Sequence, residues 1–412
     1  MVIAEFRNKE QFENKEAVPA FAAGTALFCG AKIRYNRPIT KKRGDGAVRL
    51  LRLQLEDFRS YERAALEFPR GITVVAGRNA QGKTNLLESV FLLCAGRSHR
   101  TPREEELIRN GAAQAVIRSD FTRGNVAHDV TMVLRRGAKK RIRLDGANVA
   151  RTADLVGQMQ SVLFSPENIM IVKDSPARRR GYMDVALSQV YKSYLASLLS
   201  YNRALAARNA ILKQGPDGAA WATLDVFDVQ LADTGARVMA ARRMFCEESA
   251  PRAAALQKKI SGGQDELELA YAPCVDCGRG QERDTLLSRL QKERERDIFR
   301  RVTGSGPHRD DMTLRVNGME ARLFASQGQQ RTTALAIKMA ELAFMREHTG
   351  TRPILLLDDV FGELDASRRA QLLTAVGDCQ TILTCTNVEA LPIDRSRVDA
   401  IYSVENAQLT GN

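Results

Sequence analysis

Residues able to bind phosphate groups stand together in the first quarter of this 412-residue chain. Residues 77–84 read GRNAQGKT and match the pattern G-x-x-x-x-G-K-[ST] at every fixed position. In that pattern the glycines let the backbone curl around an anion, Lys83 reaches the β- and γ-phosphates, and the Thr84 hydroxyl binds Mg²⁺. The stretch predicts a site for a nucleoside triphosphate, formed by Gly77, Arg78, Asn79, Ala80, Gln81, Gly82, Lys83, Thr84 and Asn85.

The residues on either side supply the strand and the helix that such a loop requires. Residues 72–76 are apolar and β-branched, which is typical of a strand buried on both faces. Residues 85–95 have apolar side chains every three or four positions and precede Gly96, which predicts a helix. Because a lysine is disfavoured at a helix N-terminus, Lys83 fits a bound anion better than a purely structural glycine loop.

A second group of candidate catalytic residues follows an apolar run near the C-terminus. Residues 354–357 read ILLL and are followed by Asp358 and Asp359. We expect this strand beside the loop strand in a parallel sheet, so that its carboxyl end reaches the same edge as Thr84. Asp358 would then hold Mg²⁺, directly or through water, and Asp359 would orient or deprotonate the water that attacks the γ-phosphate.

A third motif, SQGQQ at residues 326–330, precedes a helix predicted over residues 331–347. A hydroxyl, a glycine and amides at a helix N-terminus form an anion site, although the same residues also suit an ordinary helix cap. One chain does not need two γ-phosphate sites. The simplest explanation is that Ser326, Gly328 and Gln329 close over ATP bound to another copy, which predicts an ATP-dependent homodimer.

Charge points to a polyanionic partner. The formal net charge is +13 and the sequence pI is about 9.6, which favours nucleic acid, with a generally basic proteome as the alternative. Cys274 and Cys277 form a lone C-x-x-C, a weak indication of a metal site. No run reaches the roughly 18 apolar residues of a membrane span, so we expect no membrane partner and a cytoplasmic, nucleoid-associated protein.

A basic hairpin is the candidate surface for DNA phosphates. Strands are predicted over residues 115–121, 126–135 and 140–144, with a turn at 136–139. A solvated hairpin whose charges prevent edge-to-edge aggregation is the alternative. Arg59 lies close in sequence to the phosphate loop, where it either reaches nucleotide or is solvated. The hairpin cations are Arg135, Arg136, Lys139, Lys140, Arg141 and Arg143.

The pattern of elements predicts an α/β fold in four parts. Residues 1–47 form an irregular extension, and residues 48–186 carry the phosphate loop and the hairpins. Residues 187–301 form an inserted helical lobe, whose second long helix is expected over 221–248. Residues 302–412 complete the head, with strands expected at 312–316 and 321–324 before the SQGQQ motif.

Four features occur in the order found in an ABC-type ATPase head of the SMC class, which the chain resembles. They are the phosphate loop, the S-x-G-Q signature, the apolar strand with paired acids and a dimer-contacting loop at residues 362–365. Shorter stretches resemble the RecF family of bacterial recombination mediators. They are residues 55–61 (LEDFRSY), 79–88 (NAQGKTNLLE), 96–101 (GRSHRT), 164–167 (FSPE), 201–205 (YNRAL), 306–311 (GPHRDD) and 326–331 (SQGQQR).

The resemblance implies an ABC-type head with a mixed sheet, an antiparallel β subdomain and an inserted helical lobe. It also implies an ATP-dependent DNA-binding dimer that recognises gapped DNA at junctions of single-stranded and double-stranded DNA. Such a dimer works with RecR and RecO to load RecA, and its ATP hydrolysis is weak and DNA-stimulated. The residues that lie on its motif positions are Lys83, Thr84, Asp358, Asp359, Ser326 and Gln329.

The chain departs from the pattern at several points. Asp359 replaces the usual glutamate, residues 384–387 lack the common switch histidine, and the role of His308 does not follow from the motif. The family usually begins near Val48, so we expect translation to start there, at a GUG codon.

Two alternative functions are less favoured. A transporter-type ATPase subunit is disfavoured by the helical lobe and the basic surface. A structural DNA-binding protein with a relic nucleotide site is disfavoured by the intact Lys83, Thr84 and Asp358.

Overall fold

A computed structural model describes residues 47–215, 218–362, 364–376 and 379–411. The expected extension, apart from residue 47, and Glu363 of the expected dimer-contacting loop lie outside these residues. The strands are β1 (Val48–Phe58), β2 (Tyr61–Glu67), β3 (Ile72–Ala76), β4 (Gln114–Arg123), β5 (Val126–Arg135), β6 (Ala138–Leu144), β7 (Ala147–Val149), β8 (Ser161–Phe164), β9 (Leu267–Ala272), β10 (Asp311–Val316), β11 (Met319–Glu320), β12 (Ile354–Asp358), β13 (Thr381–Cys385), β14 (Val398–Glu405) and β15 (Gln408–Gly411).

The helices include both short connecting turns and long packed segments. They are α1 (Lys83–Ala95), α2 (Thr152–Leu155), α3 (Met170–Lys173), α4 (Pro176–Val190), α5 (Lys192–Gln214), α6 (Gly218–Ile260), α7 (Glu282–Lys292), α8 (Arg294–Arg300), α9 (Ala321–Phe324), α10 (Gln327–Thr349) and α11 (Ala366–Val376). None of the helices described is long and apolar enough to cross a bilayer.

The nucleotide-binding elements belong to a six-stranded sheet in the order β15-β14-β3-β13-β12-β8. Strands β14, β3, β13, β12 and β8 are parallel, so their carboxyl ends lie at one edge. The expectation that β12 lies directly beside the loop strand β3 is wrong, because β13 pairs with both and separates them. Both strands nevertheless end at the same edge, which is what the site requires.

This sheet is packed on both faces. Alternate residues of a strand point to opposite sides. On one side Val75, Leu356 and Ile382 join a core with α1 and the inner face of the second six-stranded sheet, which is antiparallel in the order β2-β1-β4-β5-β6-β7. On the other side Val74 and Leu383 join a core with α4, α6 and α10. Helix α1 is therefore fixed between two sheets, with the phosphate loop at its start.

The region expected to be a helical lobe contains α5 to α8, but it also contains a strand. Strand β9 pairs with β10 in a small antiparallel sheet, and no prediction anticipated it. Helix α6 continues to Ile260, well past the expected end, with Pro251 inside it. The division of the chain into head and lobe stays a prediction.

Two predictions near the SQGQQ motif need correction. Residues 321–324 form the single turn of helix α9 instead of a strand. Alanine, arginine and leucine are good helix formers, and the chain must turn here between the β10–β11 hairpin and the following helix. Helix α10 begins at Gln327, four residues before the expected start, so that most of the motif lies in its first turn.

Candidate functional site

The phosphate loop leaves the carboxyl end of β3 and is held tightly against neighbouring backbone. The N–H of Gly77 donates to the carbonyl of Cys385 at 3.1 Å. A Cβ atom at Gly77 would lie 2.4 Å from the carbonyl oxygen of Val404, so only glycine fits there. Gly82 has a φ of 113°, in the left-handed region that favours glycine, and caps α1. Both glycines of the motif are therefore required by the backbone geometry.

The start of α1 suits an anion. No side chain caps Gly82, and the first turn contains no acidic residue, so side chains leave the helix N-terminal N–H groups uncovered. The buried Lys83 extends over the loop and donates to the carbonyls of Gly77 at 2.6 Å and Arg78 at 3.0 Å. A lysine at a helix N-terminus, held by backbone carbonyls alone, fits a group that brings negative charge, as a triphosphate does.

The remaining loop residues form its rim. Asn79 and Ala80 are exposed, and Ala80 has a φ of 65°. The side-chain oxygen of Gln81 accepts from the N–H of Asn406. Asn85 donates to the hydroxyl of Ser60 at 3.0 Å. The loop is thus anchored at its ends and accessible between them.

The carboxyl end of β12 meets the phosphate loop at Asp358. The hydroxyl of Thr84 donates to Oδ1 of Asp358 at 3.0 Å, and the hydroxyl of Thr384 donates to the same oxygen at 2.9 Å. Burial raises the pKa of Asp358 above its usual value, although both hydrogen bonds act in the opposite direction. A buried carboxylate beside a hydroxyl is the oxygen-donor set that Mg²⁺ prefers, so the residues present fit that ion.

Asp359 follows in a left-handed conformation, with a φ of 49°. Its N–H donates to the hydroxyl of Thr384 at 3.0 Å. Thr384 therefore orients both Asp358 and Asp359. In the sequence, Thr384 stands out only as part of residues 384–387, which lack the usual switch histidine. Its hydroxyl group at the end of an apolar strand is the one feature that could have indicated a role in the site.

A buried carboxylate beside the loop was not predicted from the sequence either. Glu88, one turn after Thr84 on α1, is fully buried and accepts from Nε of Arg59 at 2.9 Å and Nη2 at 2.8 Å. Ser98 donates to it at 2.5 Å, and Arg100 lies 3.6 Å from it. Glu88 therefore holds the Arg59 side chain, which is 18% exposed and so not fully solvated. A contact between Arg59 and nucleotide stays a prediction. Three of the motifs singled out in the sequence meet at this one carboxylate.

A pocket of about 820 Å³ opens beside the first turn of α1. Asn85 and Ser60 connect it to the phosphate loop, and Arg59, Arg100 and Arg103 line its walls. Its lining contains four arginines, with Arg136 as the fourth, and the two acids Glu105 and Glu106. The pocket therefore adds a net positive surface beside the phosphate loop.

The signature residues lie at the start of α10 and form a capping box. Ser326 accepts from the N–H of Gln329 at 3.2 Å, and the Gln329 side chain accepts from the N–H of Ser326 at 2.9 Å. The amide of Gln329 also donates to Asp265 at 2.8 Å, and the carbonyl of Gly328 accepts from Arg368 at 2.8 Å. Ser326 itself is exposed. The fold brings Lys83, Thr84 and Asp358 together in one site. The signature residues instead form hydrogen bonds with one another, with Asp265 and with Arg368.

The GPHRDD motif is part of the scaffold. His308 shares a hydrogen bond of 2.6 Å with Tyr201, and its other ring nitrogen lies 3.1 Å from the carbonyl of Thr303. Burial lowers the pKa of His308 to about 4, so it is neutral at physiological pH. Asp311 pairs with Arg179 at 2.7 and 2.8 Å, which ties the small sheet to α4.

These observations agree with comparisons to known proteins. Residues 49–409 match the family described as the RecF/RecN/SMC N terminal domain. The Smc head domain of Pyrococcus furiosus is 15% identical with a TM-score of 0.51, covering 89% of this chain and 96% of that chain, which shows the fold alone. The fold and the site define an ATPase head of the ABC and SMC class.

Closer similarity narrows this class. The DNA replication and repair protein RecF of Lachnoclostridium phytofermentans is 40% identical over 353 residues, which cover 85% of this chain and 96% of that protein. A structure of the recombination mediator protein RecF-ATP in the RecFOR pathway has 32% identity and a TM-score of 0.82, covering 89% of this chain and 99% of that chain. The chain belongs to the RecF family.

Proposed function

We propose that this protein is an ATP-gated DNA clamp of recombinational repair and replication restart. The observation that carries the proposal is the 3.0 Å contact between Thr84 and Asp358, because it brings the phosphate loop and the acidic strand into one site. The RecF relatives, one described with ATP and in the RecFOR pathway, support the same function. We extend this to ATP binding, to DNA, and to RecR and RecO as partners in loading RecA.

Within the site, each residue has a separate role. Lys83 and the N–H groups of the loop bind and orient the triphosphate, and the basic pocket beside Asn85 takes the nucleoside. Thr84 and Asp358 would hold Mg²⁺, which neutralises phosphate charge when bound. Asp359 positions the attacking water. Because its side chain is one methylene shorter than that of the usual glutamate, it holds water less closely, which suits slow, DNA-stimulated hydrolysis that resets a switch.

The signature supports a two-copy site. Ser326 is exposed at the start of a 23-residue helix, and its hydroxyl proton stays available while its oxygen caps the helix. Next to it lies an apolar patch, which we define as Met170, Met319, Leu323 and Phe324, between 42% and 64% exposed. Their elements contact one another, since α9 packs against α3 and β11. Exposed apolar patches mark interfaces. We propose that a second copy covers this patch when Ser326, Gly328 and Gln329 close over its ATP.

Sedimentation velocity tests this proposal, with and without ATP and with gapped DNA. Wild type should dimerise only with ATP and should then bind DNA at junctions of single and double strands. Lys83→Ala should lose nucleotide binding. Ser326→Ala should bind nucleotide yet remain a monomer.

Helix capping must be separated from phosphate contact at Ser326. Aspartate caps helices as well as serine does, so Ser326→Asp preserves the cap but places a negative charge against the triphosphate. This variant should fold and bind ATP normally, yet fail to dimerise. If Ser326→Ala and Ser326→Asp dimerise like wild type, the two-copy site is wrong.

A further inference from the structure

The exposed face of the antiparallel sheet can be mapped from the strand register. Residues directly opposite one another on neighbouring strands point to the same side of a sheet. One row across this outer face consists of Arg63, Glu56, Val116, Val133 and Arg141, of which Val116 is covered by its neighbours. The next row, two residues along each strand, consists of Ala65, Gln54, Arg118, Thr131 and Arg143.

Positive charge is concentrated in these rows and at Arg135, which lies opposite Gln114. Glu56 is the one acidic residue in these two rows, and its carboxylate forms an ion pair with Arg118 at 2.6 Å. The other four arginines form no ion pair with any residue that the structure describes. Their side chains therefore present uncompensated charge. We call the five arginines the basic face: Arg63, Arg118, Arg135, Arg141 and Arg143.

The row beyond Arg118 has the opposite sign. It contains Glu67, Arg52, Asp120 and Asp129. Asp120 and Asp129 lie directly opposite each other, an arrangement that destabilises a sheet. This acidic row repels phosphates. A polyanion is therefore confined to the basic face, where it must run across the strands instead of along them.

Protection of a sheet edge does not explain this distribution. Charges with that purpose belong on the outermost strands, here β2 and β7. Arg63 does lie on the edge strand β2, but the other four arginines do not: Arg118 lies on β4, between β1 and β5, Arg135 lies on β5, and β6 is itself paired with β7. Among the hairpin cations, Lys140 does not add to the exposed charge. It donates to the carbonyl of Gly96 at 2.7 Å and pairs with Glu104.

We infer that the basic face binds the backbone of the duplex arm of gapped DNA, an inference that rests on the proposed function. From β2 to β6 there are four strand spacings, about 19 Å at about 4.8 Å each, along which one DNA strand presents about five phosphates. Single-strand sites stack bases on aromatic side chains. The aromatic residues of these strands, Phe58, Tyr61 and Phe121, are fully buried, so the face suits duplex backbone.

The test is the salt dependence of DNA binding in the presence of ATP, with duplex, gapped duplex and single-stranded DNA as probes. Each phosphate contact to duplex contributes about 0.9 to the slope of log affinity against log salt. Arg141→Gln/Arg143→Gln should therefore lower the slope on duplex and gapped DNA by about 1.8. It should leave single-strand binding and the binding of a fluorescent ATP analogue unchanged.

Two further variants control for net charge. Arg395→Gln/Arg397→Gln removes the same charge from the 3-10 helix that precedes β14 and should leave the slope unchanged. Asp120→Asn/Asp129→Asn should tighten duplex binding by weakening the acidic row.

An unchanged slope in the Arg141/Arg143 variant overturns the inference. So does an equal fall in the Arg395/Arg397 variant, or an equal loss on single-stranded DNA. If wild type itself fails to bind gapped DNA with ATP, it is the proposed function that fails.

Discussion

Replacing Glu88 with glutamine should lower the free energy of unfolding by about 3 to 5 kcal/mol. The carboxylate is fully buried and holds Arg59 through two hydrogen bonds of 2.9 and 2.8 Å, with a third from Ser98 at 2.5 Å. Glutamine keeps the shape but removes the charge, so the guanidinium, whose side chain is only 18% exposed, loses its counter-ion. Removing one partner of a buried pair is costly because the other charge stays buried. Urea denaturation followed by circular dichroism measures the loss.

The matched control is Glu56→Gln. Glu56 pairs with Arg118 at 2.6 Å, but both side chains are nearly half exposed, so this variant should cost less than about 1 kcal/mol. If both variants lose the same stability, burial is not what makes the Glu88 contact strong, and the reasoning fails.

The pH dependence gives a second check on Glu88. Burial alone would raise its pKa, but the hydrogen bonds from Arg59 and Ser98 outweigh burial and hold the pKa below its usual value. A carboxyl group with a lowered pKa stabilises the fold above its unfolded pKa, and that stabilisation disappears as pH falls through the folded pKa. The gap between wild type and Glu88→Gln should be full at neutral pH and shrink below about pH 4.3.

Four further predictions test other parts of the molecule. Gly77→Ala should cost about 1 to 3 kcal/mol in urea denaturation, since its Cβ would lie 2.4 Å from a carbonyl oxygen. Phe324→Ser should weaken the ATP-dependent dimer about 10- to 150-fold by sedimentation, the equivalent of one buried phenylalanine, without changing nucleotide binding. Asp359→Glu should raise the rate of phosphate release, because the longer carboxylate holds water more closely. Arg208→Met should cost about 3 to 5 kcal/mol, since the fully buried Arg208 pairs at 2.7 Å with each of Asp228 and Asp297.

The parts of the fold that the sequence could predict are those encoded over short distances. The loop strand occupies Ile72–Ala76 as expected, and α1 ends before Gly96, which has a φ of 70°. The apolar run before Asp358 is a fully buried strand. A strand buried on both faces has a composition of its own, and a phosphate loop has fixed spacing, so neither depends on distant contacts.

What the sequence could not predict depends on contacts between distant segments. Strand β9 is a strand because β10 pairs with it, while its own six residues lie in a mostly helical region. The position of β13 between β3 and β12 follows from the topology of the sheet, which no local pattern specifies. The contact of Arg59 with Glu88 joins two motifs that were visible separately, but their side-chain pairing requires the folded chain. The roles assigned to the individual site residues stay predictions.

The motif at Ser326 suits either a helix cap or an anion site, and the structure shows that the two roles are compatible. Its oxygen accepts from the N–H of Gln329, which stabilises the start of α10 in the single chain. A hydroxyl group has one proton to donate besides the lone pairs through which it accepts, so capping does not use the proton that a phosphate oxygen would accept. The cap fixes the side chain in the single chain, which would lower the entropy lost if Ser326 closes over a second nucleotide as proposed. In the proposed two-copy site, helix capping would therefore prepare Ser326 to bind phosphate.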